Sequence, residues 1–126
     1  MSVAIITEEA PLPVGHYSQA VKAGNFIFVS GQIPINPKIG ELVEGDIKIQ
    51  TRLILRSIEA ILKAGDSSLS KVVKLTVFIR GLSNFSKVNA VFAEIFVGEP
   101  PAREVVGVKE LPKDAEIEIS AVALAN

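Results

Sequence analysis

Arg103 stands directly behind Pro-Pro-Ala in the stretch PPAREVVGVKELPKDAEIEISAVA, and Glu116, Glu118 and Ser120 follow in alternation with apolar residues. A guanidinium stays charged and presents a planar fork that matches a carboxylate bidentately, so an arginine fixed at the start of a strand suits the anchoring of a small organic acid. The prolines before it stiffen the approach and reduce the entropy lost on gripping a ligand. The plainer alternative is a solvated surface arginine, or one paired with Glu104 or Glu118. Strand parity sends Glu116, Glu118 and Ser120 to one face and Ile117, Ile119 and Ala121 to the other. A carboxylate near the arginine and partly removed from water would orient or activate a hydrolytic water as general base. Ordinary sheet amphipathicity produces the same alternation, and parity does not separate Glu116 from Glu118.

Other positions carry weaker signals. Tyr17, the only tyrosine, follows a proline-bounded lead-in where its ring would wall a pocket and its hydroxyl meet a polar ligand atom, or where it would serve as a satellite core residue. His16 beside it is the sole histidine and has no base or nucleophile to pair with in the pattern. Ser30-Gly31 ends a hydrophobic run, where a glycine lets the backbone approach a ligand closely. Asn89 lies inside a helical pattern, where asparagine competes for backbone hydrogen bonds and therefore has either solvent or a partner to explain it. Dinucleotide, phosphate-loop, serine-hydrolase and zinc-peptidase motifs are all missing.

These residues need a scaffold, and 126 residues suffice for one real core but not two, so the chain reads as a single domain, 1–126. A hydrophobic fraction of 48% with 21% charged residues leaves no compositional room for extensive disorder. Thirteen basic against fourteen acidic residues, without a block of like charge, predict neither a nucleic-acid nor an anionic-membrane partner. The lack of cysteine removes disulfides, thiolate nucleophiles and thiolate metal sites, and a lone histidine removes a His-rich one. The opening MSVAIITEEAP lacks the basic flank of a signal peptide and the arginines of a transit peptide, which predicts a soluble, cytoplasmic protein, with the mitochondrial matrix as the alternative.

Along the chain, APLPVG is an irregular lead-in, and YSQAVKAGNFIFVSGQIP holds two short strands around Ala23-Gly24-Asn25, the second from Phe26 to Ser30. NPKIGELVEG is turn-rich. Asp46 caps a helix whose Ile47, Ile54, Ile58, Ile61 and Leu62 recur at helical spacing as far as Gly65. KVVKLTVFI is a strand, and a second helix opened by Ser83 or Asn84 aligns Phe85, Val88, Phe92, Ile95 and Phe96. Strands at about 104–108 and 116–124 complete a β-β-α-β-α-β-β order: an α+β mixed sheet with both helices on one face. Apolar residues on both sides of KVVKLTVFI predict that the uncovered face meets another subunit.

The run YSQAVKAGNFIFVSGQIP, the helical VNAVFAEIF and the PAR…V…LP…IEI block, in this order and over Tyr17 to Ala123, closely resemble the RidA (YjgF/YER057c-type) family. The resemblance implies a chorismate-mutase-like fold, a homotrimer whose sheets form a central barrel, and a ligand cleft at each subunit interface. It implies cofactor-free hydrolysis of 2-imino and enamine acids, such as 2-aminoacrylate and 2-iminobutanoate, to 2-keto acids and ammonia. The alternative is a non-catalytic trimeric module that binds small keto acids as a sensor or docking protein. By resemblance Arg103 is the carboxylate clamp, Glu118 rather than Glu116 positions the attacking water, and Tyr17 belongs to the pocket. Ser30, Gly31 and Asn89 line or support the cleft. Val105 occupies a position where many members have cysteine; it keeps the backbone groups expected to meet the ligand but removes any thiol chemistry. The stretch VGEPPAR is shorter than the matching loop of many members.

Overall fold

The structure, a computed structural model, describes residues 2–126. Its strands are β1 (Ser2–Ile5), β2 (Ala20–Ala23), β3 (Phe26–Gln32), β4 (Ile35–Asn36), β5 (Glu41–Leu42), β6 (Val72–Ile79), β7 (Ala102–Gly107) and β8 (Ile117–Leu124), with helices α1 (Ile47–Ala64) and α2 (Phe85–Ile95). Six strands form one sheet in the order β1-β2-β3-β8-β6-β7, and β4 pairs with β5 alone. Among the described residues only β6 and β7 run parallel, joined by the crossover that contains α2, so the sheet is mixed, as expected for an α+β chain.

Alternation along the strands divides the sheet into two faces. Ile27 and Val29 of β3, Leu75, Val77 and Ile79 of β6, and Ile117, Ile119, Ala121 and Ala123 of β8 are buried with Ile54, Ile58, Ile61 and Leu62 of α1 and Val88, Val91 and Phe92 of α2. At about 1.5–3 kcal/mol for each large apolar side chain, this layer is the main stabilising element. Among the described residues no helix lies over the opposite face: Phe26, Phe28 and Leu124 are exposed there, and Phe78 is half-buried. This is the uncovered apolar face that the pattern of KVVKLTVFI predicts.

Several boundaries differ from the sequence reading. The opening residues form β1, antiparallel to β2, although four residues carry too short a pattern to stand out. Ile5 explains its placement: its Cδ1 lies 2.6 Å from where a Cβ on Gly65 would stand, so the strand packs on the end of α1 where no side chain intervenes. Gly65 is the C-terminal cap as expected, but with φ −97 it serves space rather than a left-handed turn, and the left-handed residue is Asp66 at φ 61. Asp46 caps α1 by accepting from Lys48 N–H at 2.8 Å. The turn-rich NPKIGELVEG contains the β4–β5 hairpin, closed by left-handed Gly40. β3 continues through Gly31 to Gln32 across a register shift after Val29, where a bulge replaces the expected stop. β7 is Ala102–Gly107, so it takes in Arg103, and β8 begins at Ile117, one residue past Glu116. Among the described residues no helix is long and apolar enough to cross a membrane.

Candidate active site

Arg103 emerges on β7, an edge strand, opposite Leu75 of β6, and therefore on the helix-covered face. There the second helix receives it. Phe85, Asn89, Phe92 and Phe96 recur at spacings of three and four, which places them along one side of α2. The guanidinium lies 5.2 Å from the Phe85 ring centroid and 5.6 Å from that of Phe92, and Nη1 donates to Asn89 Oδ1 at 2.8 Å. Two ring faces and one amide acceptor hold the fork without neutralising its charge. Glu104, offered as a partner by the sequence, instead meets Lys74 at 2.6 Å on the other face, and Lys74 holds its carboxyl below the ordinary value. Asn89 is exposed, as is usual for an asparagine within a helix, and also has a partner in Arg103. A cleft of about 380 Å³ opens beside the guanidinium, walled by Leu75, Phe92, Ala93, Phe96, Pro100 and Pro101. The two prolines belong to the cleft itself.

Glu118 lies elsewhere. It is opposite Phe78 on the face that no helix covers. A second, smaller cleft of about 80 Å³ contains it together with Tyr17, Gly31, Pro11, Pro112 and Lys113. Burial pushes the Glu118 carboxyl up, because removal from water disfavours the ionised form. Gly31 makes the position possible: a Cβ there would stand 2.8 Å from Glu118 Cδ and collide with its Oε2. Glu116, one turn of the pleat earlier, lines a different groove with Arg80 and Asp114, so the structure separates the two glutamates that parity left equivalent.

Tyr17 reaches this cleft because the lead-in is pinned. Gln19 is fully buried; its Oε1 accepts from Thr7 N–H at 2.7 Å, and its Nε2 donates to the carbonyls of Thr7 at 3.0 Å and Pro11 at 2.8 Å. Gln19 was missed by sequence reasoning; a polar residue immediately before an apolar strand was its only signal. Ser30 lines neither cleft. Its Oγ donates to Ser18 carbonyl at 2.7 Å and its N–H to Gln19 carbonyl at 2.9 Å, which supports the segment carrying Tyr17. The Tyr17 hydroxyl accepts from Val14 N–H at 3.3 Å and remains half exposed. Val105 is partly buried opposite Val77, packed against the core two residues beyond Arg103. His16 is exposed.

One chain therefore assembles Arg103 with Asn89, and Tyr17 with Gly31 and Glu118, but does not bring the two groups together. Arg103 is in register with Leu75 and Ala121, and Glu118 with Phe78 and Val106. They are three residues apart along the strands, about 10 Å, and two strand spacings of about 4.8 Å apart across them, on opposite faces.

Comparison with known proteins agrees with this architecture. Residues 7–125 match the family described as Endoribonuclease L-PSP. The chain is 55% identical to a RutC family protein of Pyrococcus horikoshii over 123 residues, covering 98% of each. It is 45% identical to the 2-iminobutanoate/2-iminopropanoate deaminase of Escherichia coli over 127 residues, again covering 98% of each. The crystal structure of Escherichia coli TdcF with bound serine superimposes with a TM-score of 0.91 at 38% identity, over 98% of this chain and 99% of that one. The fold, the coverage and the identities leave one conclusion: this chain belongs to the Endoribonuclease L-PSP family, which is the RidA/YjgF family anticipated from its sequence.

Proposed function

We propose that this protein is a hydrolytic deaminase that converts 2-imino and enamine acids to 2-keto acids and ammonia, at sites built between copies of the chain in a homotrimer. The observation that carries the reading is a pair of complementary half-sites, a held but unneutralised guanidinium and a partly buried carboxylate, in a chain 45% identical to an imine deaminase. Arg103 lies on an edge strand and Glu118 beside the uncovered apolar face, so a second copy supplies the missing half while covering exposed Phe26 and Phe28.

In this reading Arg103 takes the substrate carboxylate in a two-pronged contact, leaving the C=N carbon toward the partner's carboxylate cleft. Ionised Glu118 takes a proton from water as the water oxygen bonds to that carbon and the C=N electron pair moves onto nitrogen, and the same proton is passed to that nitrogen, which returns Glu118 to its ionised form. Collapse of the resulting carbinolamine forms the keto group and expels ammonia. Imine and water balance keto acid and ammonia with no electron transferred. Tyr17 and the Gly31 backbone border the reacting centre, and Val105 offers its peptide groups.

The test is the decay of 2-aminoacrylate generated in situ by a dehydratase: wild type accelerates it, and Arg103→Ala returns it to the spontaneous rate. Equal decay with both proteins removes the enzyme reading. Serine bound to TdcF favours a second reading, a module that only binds small carboxylic acids. Tight keto-acid binding by calorimetry with no imine turnover is its signature.

A further inference from the structure

The turn between β7 and β8 carries two consecutive non-glycine residues in left-handed backbone, Lys113 at φ 56 and Asp114 at φ 62. Such conformations persist where the surroundings over-determine them, and they gather at working sites. This turn is held at both ends. Ala115 is fully buried, and Pro112 has a fixed φ. Between them a single side chain reaches across: Arg80 Nη1 donates to the Asp114 carbonyl at 3.2 Å and stands 3.7 Å from its carboxylate. Arg80 itself is anchored by its N–H donating to the Glu116 carbonyl at 3.0 Å. An exposed ion pair of that length has little worth alone. The hydrogen bond to the carbonyl of a left-handed residue is the informative contact, because it opposes relaxation of the turn.

The same turn supplies Pro112 and Lys113 to the wall of the cleft that holds Glu118, Tyr17 and Gly31. We propose that Arg80 is a positioning residue: it clamps the Lys113–Asp114 turn so that Pro112 and Lys113 stay closed against Glu118 and keep water from its carboxylate. The assignment of this task to catalysis rests on the hydrolytic reading above. Arg80 lies outside the cleft, facing Glu44, Asp114 and Glu116 in the neighbouring groove, whereas within one chain the titratable groups that face Glu118 are Tyr17 and Lys113. Loss of Arg80 therefore acts on Glu118 through the wall: a relaxed turn admits water, and the carboxyl falls back toward its ordinary value.

The experiment compares wild type, Arg80→Ala and Arg80→Lys as full chains, by imine hydrolysis across pH and by carbon NMR titration of the Glu118 carboxyl. For Arg80→Ala the expected result is a fall in kcat/KM of roughly five- to tenfold, the worth of one hydrogen bond expressed at the site. The acid limb of the pH profile and the Glu118 titration shift together to lower pH, while the melting midpoint stays in place. Arg80→Lys, which still offers a donor to the Asp114 carbonyl, restores most of both. A Glu118 titration that is the same in Arg80→Ala and wild type overturns the proposal. Because the titration needs no turnover, a wild type without imine hydrolysis but with a shifted Glu118 in Arg80→Ala removes the hydrolytic reading and leaves the clamp intact.

Discussion

Arg103 and Glu118 sit two strands apart on opposite faces of one sheet, and the protein holds them by different means. The arginine is exposed on an edge strand and is steadied by contacts within one sequence neighbourhood, the α2–β7 segment: two phenyl rings and one asparagine. The glutamate is on an interior strand, and its surroundings come from separate parts of the chain: the lead-in at Tyr17, the bulge at Gly31 and the turn at Lys113 that precedes β8. A locally built cation keeps its charge and its access to a ligand. A carboxylate walled by several segments loses water instead, which raises its proton affinity above that of a freely solvated carboxylate. Each half lacks what the other has, which is the physical reason for expecting them to meet between copies.

Complementation breaks that comparison most sharply. Arg103→Ala and Glu118→Ala each remove one half, and each is expected to lose about a hundredfold or more in kcat/KM. When the two variants are co-expressed, a closed ring containing both has one interface where an intact Arg103 faces an intact Glu118. Random mixing into threefold rings then restores roughly a quarter of the sites. Imine turnover by the mixed preparation, measured against each variant alone, checks this directly. A mixture as inactive as its components means that the two residues serve no shared interface site.

Gly31→Ala sharpens the glutamate side. The new Cβ would stand 2.8 Å from Glu118 Cδ, so something must move, and the end of a glutamate side chain moves more easily than two paired strands. The expected outcome is a loss of roughly tenfold or more in kcat/KM with little change in the denaturation midpoint. An equal loss of activity and stability would instead locate the strain in the β3 bulge.

The contrast also explains what was legible in the sequence. Residues fixed by local pattern were readable: Asp46 as a cap, the helical stripe from Ile54 to Leu62, the outward parity of Glu118 and the in-facing Ile117 and Ile119. Arg103 and Asn89 drew notice through their local setting, though their mutual hydrogen bond spans 14 residues and has no spacing rule. In the sequence only family resemblance separates Glu118 from Glu116, since the two differ in which loops fold over them and not in parity. Gln19, Arg80 and β1 escaped notice for the same reason. Each acts through contacts that follow no helical or strand period: Gln19 with Thr7 and Pro11, Arg80 with Asp114, and β1 with Gly65. A single polar residue or a four-residue apolar run carries no periodicity by which to recognise such a role.

The smallest effect concerns stability rather than turnover. Burial raises the folded-state pKa of Glu118 above its unfolded value, so the native state binds the carboxyl proton more tightly than the unfolded chain does. Stability contributed by that protonated form is complete below the unfolded value and is lost as pH rises through the folded one. Near neutrality the ionised Glu118 therefore works against folding, and Glu118→Gln, which cannot ionise, is expected to be at least as stable as wild type while being inactive. The difference should vanish in acid, where both side chains are neutral. Urea midpoints of the two proteins at neutral pH and below the ordinary carboxylate range measure it. Arg103→Gln, made on the half-site whose charge stays exposed, should show no matching convergence in acid, because no desolvated group is removed there. Opposite pH behaviour of these two variants would reverse the assignment of the desolvated half and the open half.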